Sequence, residues 1–298
     1  IPANGVRREA VGNGTDLSAW PKGGHTTAAL GWFHNIAGVK TEHSTGPNSG
    51  EDEYTLQLNT NPFVGGCAYY GSPNPNCEGW EQFVFWNQGN TSGYDGSLFI
   101  QYWLIDYAPC GSSTCTDTCP SGWQGFHRGS SKNPEDCFRN ASNSQDVQSY
   151  SIVNGLKYFR LGGASVRKSG YSDYITLAVT GGPSAQLYKV YGDNVFPLLS
   201  NYWTGTEFNV FGAPGGGEAV FNAKSTIGVR TAITTINGED NPPLCVGPPG
   251  GGFTGETNNL NIGPVGSKWP IRNWPAIVFS ETNVTKSPKP GCTPIGGL

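Results

Sequence analysis

The sequence predicts an all-β protein, a sandwich or barrel of short strands joined by turn-rich loops. Three observations carry this. The 298 residues include 44 Gly and 22 Pro, nearly twice the usual share of turn formers. Charged residues make up only 13% and aromatic residues 12%, too few of the first for a helical bundle and too many of the second for a disordered chain. Short alternating segments recur along the chain between turn signals.

The elements follow in order. Residues 1–50 read as a loop-rich N-terminal extension, punctuated by Gly, Pro, Asn and His. Alternation begins at Glu53-Tyr-Thr-Leu-Gln-Leu58. A Gly/Pro/Asn loop follows, and Glu81-Gln-Phe-Val-Phe-Trp86 is a strong strand signal. Ser97 to Tyr107 (SLFIQYWLIDY) is the longest strand candidate and pairs with it as a hairpin. Residues 108–148 hold four of the eight cysteines and read as a Cys-rich insertion. Further strands are expected at 149–153, 156–161, 173–179, 186–190, 206–211, 218–222, 227–234 and 276–281. A short helix is expected around Asp193–Leu199, limited by Pro197. Pro242–Gly252 (PPLCVGPPGGG) is a loop. The whole chain, 1–298, is expected to form one β-sandwich domain.

Eight cysteines, four N-x-S/T sequons, no Met and a start at Ile1 point to a processed, secreted chain in an oxidising compartment. Local pairing gives Cys67–Cys77, Cys110–Cys115, Cys119–Cys137 and Cys245–Cys292. The sequons place glycans at Asn13, Asn90, Asn140 and Asn283. A net charge of −4 and a pI of about 5.6 argue against nucleic acid. No apolar run is long enough to span a membrane. A monomer is expected.

Motif chemistry is mostly negative. The chain has no G-x-S-x-G elbow, no H-E-x-x-H and no P-loop, and its four His residues suggest neither a triad nor a metal site. No metal or cofactor is expected. The candidates are carboxylates and amides within strands: Glu81, Asp106, Glu207, Glu218 and Gln82. In Tyr202–Gly212 (YWTGTEFNVFG), alternation puts Glu207 and Asn209 opposite Phe208 and Val210, whose side faces the core. In Cys77–Asn87 (CEGWEQFVFWN), Gln82 shares a face with Trp80 and Trp86. In the following strand Gln101, Trp103 and Tyr107 share a face with the make-up of a ligand groove.

The succession CEGWEQFVFWN, LFIQYWLIDY and YWTGTEFNVFG resembles the secreted glutamic peptidases, the eqolisins, and more loosely their neprosin-like relatives. The resemblance implies a two-sheet antiparallel sandwich of the jelly-roll, concanavalin-like kind. It implies a peptidase acting on polypeptide through Gln82 and Glu207 and an activated water, at acid pH, without a cofactor. Trp80, Trp86, Gln101, Trp103 and Asn209 would bind substrate. Neprosin-like members use two Glu residues, so Glu81 or Glu53 stays open as the first partner.

Two other readings stay open. A carbohydrate-active enzyme on the same fold would pair Glu207 with Glu218 or Asp106, 5–9 Å apart, or Tyr102 with Arg230 as a lyase. A non-catalytic glycan-binding or cell-wall protein would use the same groups to bind polysaccharide.

Overall fold

A computed structural model describes residues 16–46, 50–89, 96–109, 119–126, 135–165, 172–181, 185–197, 199–213, 217–236, 241–247, 253, 258–263, 275–283 and 291–295. The strands are β1 (Ser18–Trp20), β2 (Thr26–Ala37), β3 (Glu42–Ser44), β4 (Glu53–Thr60), β5 (Phe63–Val64), β6 (Glu78–Gln88) and β7 (Gly96–Ala108). Next come β8 (Gln124–Phe126), β9 (Glu135–Val147), β10 (Phe159–Ala164), β11 (Tyr174–Val179), β12 (Gln186–Tyr191) and β13 (Thr206–Gly212). The chain closes with β14 (Ala219–Phe221), β15 (Thr226–Thr235), β16 (Leu244–Val246), β17 (Asn261–Ile262), β18 (Ala276–Thr282) and β19 (Cys292–Ile295). One helical turn, α1 (Ile152–Gly155), interrupts them.

Two large antiparallel sheets stack as a sandwich. The first runs β16-β1-β13-β4-β6-β7-β9-β8, with β5 beside β6. The second runs β12-β11-β10-β2-β15-β18-β17, with β19 beside β18. Their inner faces supply the core. Phe208 of β13 meets Phe33 of β2 with ring centroids 5.1 Å apart, and a Cβ at Gly31 would fall 2.0 Å from the Phe208 ring. Glycine at 31 is therefore what lets the two sheets approach there. Gly163 of β10 does the same for Phe83 of β6.

The strands around the candidate residues match the sequence reading closely, including the β6–β7 hairpin. Elsewhere the structure corrects it. Residues 1–50 are no loop-rich extension where described: β2 lies at the centre of the second sheet, between β10 and β15. Its inner face packs in the core and its outer face carries Trp32 between Arg160 and Arg230. Because the half-buried outer face carries Leu30 and Trp32 as the inner face carries Ala29 and Phe33, polar/apolar alternation disappears. Within 108–148, β9 pairs with β7 along most of its length. Segment 149–153 is not a strand. The Asp52 carboxylate accepts the Ile152 N–H at 2.7 Å, and α1 begins there. The helix expected near 193–199 is a single 3₁₀ turn, Leu199–Asn201.

Three of the expected disulfides form: Cys67–Cys77, Cys119–Cys137 and Cys245–Cys292. The last joins β16 of the first sheet to β19 of the second, so it staples the two layers. Cys110 and Cys115 lie outside the described residues, as do Asn13 and Asn90. Among the described residues no helix is long and apolar enough to cross a membrane.

Several carboxyls are enclosed. Glu81 is fully buried on the inner face of β6, and burial, with Asp173 beside it, raises its pKa well above the ordinary carboxylate range. Two ionised carboxylates have no donor between them, so a shared proton supplies it. Glu42 is pushed up to about 9, by burial first and then by Asp52 and Glu53. Asp16 is pushed up to about 7 by burial, against the opposing hydrogen bond from Asn209. Burial and Asp16 also raise Glu281 well above its usual range.

Each of these groups holds its proton more tightly folded than unfolded. Their contribution is complete below the unfolded carboxyl range near pH 4 and is lost as pH rises through the folded values of about 7 and 9. We predict that the urea midpoint is higher at pH 4 than at pH 8. Each titrating group would contribute a slope of about 1.4 kcal/mol per pH unit within its window. A midpoint that is flat or rising over that interval would refute the enclosed, protonated state.

Candidate functional site

The first sheet turns its other face away from the core, and there the register lines up a polar row. Ser18 of β1 stands opposite Glu207 of β13, Glu207 opposite Asn59 of β4, Asn59 opposite Gln82 of β6, Gln82 opposite Gln101 of β7, and Gln101 opposite Asn140 of β9. Six strands each contribute one polar side chain. The alternation that sends Phe208, Leu58, Phe83 and Ile100 into the core sends their neighbours here.

The row is wired by hydrogen bonds. Trp103 Nε1 donates to Gln82 Oε1 at 2.6 Å and to Gln101 Oε1 at 2.9 Å. Gln82 Nε2 donates to Gln57 Oε1 at 2.8 Å and to Asn59 Oδ1 at 3.2 Å. Asn59 Nδ2 donates to Glu207 Oε2 at 2.8 Å. The main-chain N–H of Phe253 donates to the other oxygen, Oε1, at 3.0 Å. An indole N–H can only donate. It therefore fixes which end of Gln82 is oxygen, and so which end points at Asn59.

Gln82 and Glu207 thus share one face, and Glu81, the alternative left open by the alternation, faces the core. They stand two strands apart, about 10 Å between backbones. A shared solvent molecule was the expectation; instead the carboxamide of Asn59 occupies the position between them. Exposure changes along the row. Glu207 and Asn59 are fully buried, Gln82 is 4% exposed, Gln101 and Trp103 are half-buried, and Asn140 is exposed.

A second row borders the first. Trp80 pairs with Trp103, and Trp103 with Phe138. Trp103 stacks on Phe138 at 5.0 Å and meets Phe126 edge-on at 5.5 Å. Trp80 anchors to the Thr60 carbonyl at 2.6 Å. Phe253 packs with Trp80 and Ile105, and Trp20 and Trp103 pack against that group. Polar groups that can work on a peptide or sugar therefore lie beside an aromatic wall.

Of the expected substrate-binding residues, Trp80, Trp103 and Gln101 join this arrangement. Trp86 shares the face but sits four residues along β6 from Gln82, roughly 14 Å away. Asn209 turns to different partners. Its Nδ2 donates to Asp16 Oδ1 and to both oxygens of Glu281, at 3.0 and 3.1 Å. Glu81 faces the core beside Asp173, away from Glu207. Asp106 lies five residues along β7 from Gln101, and Gly212, against which the Glu218 nitrogen packs, lies five residues along β13 from Glu207. Each offset is roughly 17 Å of strand, so neither residue belongs to the polar row. Tyr102 is buried in the core, where its hydroxyl accepts the Asp193 N–H at 2.9 Å. Arg230 lies over Trp32 on the outer face of the second sheet, so these two form no lyase pair.

No protein-family model matches the chain, and no curated protein matches it. Among solved structures, it is similar to the crystal structure of Scytalido-glutamic peptidase with a peptide-based transition-state analogue. That match has 11% identity and a TM-score of 0.33, and covers 91% of this chain and 97% of the other. At this distance the likeness assigns neither activity nor residues.

Sequence reasoning missed Asn59, Gln57, Trp20 and Phe253. The first two were visible as every second residue of β4: Thr55, Gln57 and Asn59 alternate with Leu56 and Leu58. Phe253 carries no such signal, since it sits in a Gly-rich loop sequence. The sequons differ too. Asn140 is exposed, and its Oδ1 accepts from Gln101 Nε2 at 2.8 Å. The Nδ2 of Asn283 is turned inward, donating to the Phe221 carbonyl at 2.9 Å.

Asn59 is the joint of this row. We predict that Asn59→Ala costs about 1–3 kcal/mol, because it leaves Gln82 and Glu207 each short of a partner in a buried setting. Urea unfolding at pH 4 measures it; an unchanged midpoint would mean that the bridge is not made in solution.

Proposed function

We propose that this protein is a secreted acid endopeptidase that hydrolyses peptide bonds with Glu207 and Gln82. The observation that carries the reading is the continuous connection from the Gln82 amide through Asn59 to the Glu207 carboxylate on one face of the sheet. The three sequence segments that resemble glutamic peptidases bring the same two residues forward. Disulfides and sequons support an extracellular setting. The enclosed protonated carboxyls support an acid one.

In this reading Glu207 takes a proton from water as the water oxygen bonds to the peptide carbonyl carbon. The carbonyl electron pair moves to oxygen, and a Gln82 N–H, released from Asn59 or Gln57, stabilises that oxyanion. Glu207 then returns the proton to the amine as the C–N bond breaks, leaving a free carboxyl and a free amine. Asn59, bonded to both groups, positions them and gives way to the peptide carbonyl as Gln82 turns to it. The half-buried end of the row, at Gln101 and Trp103, is where the polypeptide enters.

The test is hydrolysis of denatured casein at pH 3–4 in the presence of pepstatin. Glu207→Gln is expected to abolish cleavage, and Gln82→Ala to lower kcat by roughly 10²–10³, with each variant's urea midpoint recorded beside its activity. Retention of full activity by folded Glu207→Gln would end this proposal.

A further inference from the structure

The aromatic wall beside Glu207 is already filled by a residue of the chain itself. Phe253 lies against Trp20 at 5.9 Å, ring edge to ring face, and packs with Trp80 and Ile105. The floor beneath it is Gly205. A Cβ there would stand 2.7 Å from Phe253 Cζ and 2.7 Å from Trp20 Cε2. The hollow thus has the depth of a phenyl ring only because residue 205 has no side chain.

The same residue also makes a peptide-like bond: its main-chain N–H donates to Glu207 Oε1 at 3.0 Å. One amino acid therefore does two things that a bound peptide would do at this place. It sets an aromatic side chain into the hollow and an amide N–H on the carboxylate. Glu207 beside it has no exposed surface.

We infer that the hollow formed by Trp20, Trp80, Trp103, Ile105 and Gly205 is a binding subsite for an aromatic side chain of a peptide, and that Phe253 occupies it as an internal plug. The inference rests on the proposed peptide-binding role of this face and supplies what that role lacks, a route to Glu207. A substrate bearing Phe or Tyr displaces the Phe253 ring and replaces its N–H at Oε1, which brings the peptide's own main chain against the carboxylate. The occupant is aromatic rather than aliphatic because the walls are indole rings, which receive a ring edge-on. The side chains of the adjoining polar row supply hydrogen bonds to the peptide's main chain.

The experiment reads binding, not turnover. Isothermal calorimetry at pH 4 compares N-acetyl-phenylalanine amide with N-acetyl-alanine amide. Phe253→Ala is expected to bind the phenylalanine compound at least tenfold more tightly than the unaltered protein does, and to ignore the alanine compound. Adding Gly205→Ala to that variant fills the floor and should abolish the gain. Equal, weak binding of both compounds by Phe253→Ala would overturn the subsite. Should Phe253→Ala fail to fold, Phe253→Val leaves a smaller hollow and must still show the preference for the ring; its absence counts against the inference equally. With casein, the plug predicts a lower KM for Phe253→Ala and little change in kcat. Ring binding without casein cleavage by any form would keep the subsite and remove the peptidase reading. Cleavage without ring binding would do the reverse.

Discussion

A carboxylate and three carboxamides, drawn wholly or partly out of water, must satisfy one another, and the first sheet is organised around that requirement. Leaving even one such group unpaired in a buried setting costs about 1–3 kcal/mol. The cross-strand register solves this by placing Glu207, Asn59, Gln82 and Gln101 side by side. Each then lies within reach of the next without loop or helix. The solution has a direction. Trp103 can only donate, Gln82 passes a donor to Asn59, and Asn59 passes one to Glu207. Such a chain needs an acceptor at its end, and the two oxygens of Glu207 supply it. Bonds aligned in one sense also polarise one another, so the row acts as a unit.

The inner face of the same strands shows a different response to burial. Glu81 follows from the same alternation as Gln82 but points inward, where no amide row exists. It meets Asp173 and keeps a proton instead. Asp16 and Glu281 meet around Asn209, on the Glu207 side of β13, and burial raises both of them too. Two consecutive residues on β6 thus take opposite electrostatic fates, decided by which face each one addresses. The molecule carries a ladder of neutral amides ending on Glu207 and, apart from it, buried acids whose pKa values are raised, so acid conditions favour the fold without altering the amides.

How much of this was legible depended on whether one face of a strand differed chemically from the other. β6, β7 and β13 have apolar core faces and polar or indole outer faces, so the orientation of each strand could be read from alternation; that Asn59 would stand between Gln82 and Glu207 could not. β2 could not, because Trp32 and Leu30 outside are as apolar as Phe33 and Ala29 inside. β9 could not either, because Arg139-Asn-Ala-Ser-Asn-Ser-Gln has the composition of a loop and is held in place by its partner β7. Asn59 was legible and unread; its strand was recognised from Leu56 and Leu58 alone. Phe253 was beyond any local pattern, since its place is set by Trp20, Trp80 and Gly205, each far from it in the chain.

Gly205 shows why the last kind of feature resists a sequence reading. It ends a Tyr-Trp-Thr-Gly run that looks like an ordinary turn, and nothing local distinguishes it from the other glycines of the chain. Its consequence appears only once β1 lies alongside β13 and sets Trp20 over it. The absent side chain then becomes a volume, bounded by indoles on one side and by the carboxylate row on the other. A small hydrophobic hollow beside a buried carboxyl group is costly to leave empty, because its lining would forfeit contacts and Glu207 would lose a donor. Phe253 answers both needs with one residue. Any ligand that is to reach Glu207 must answer both as well, which is why ring and N–H belong together in what this face can recognise.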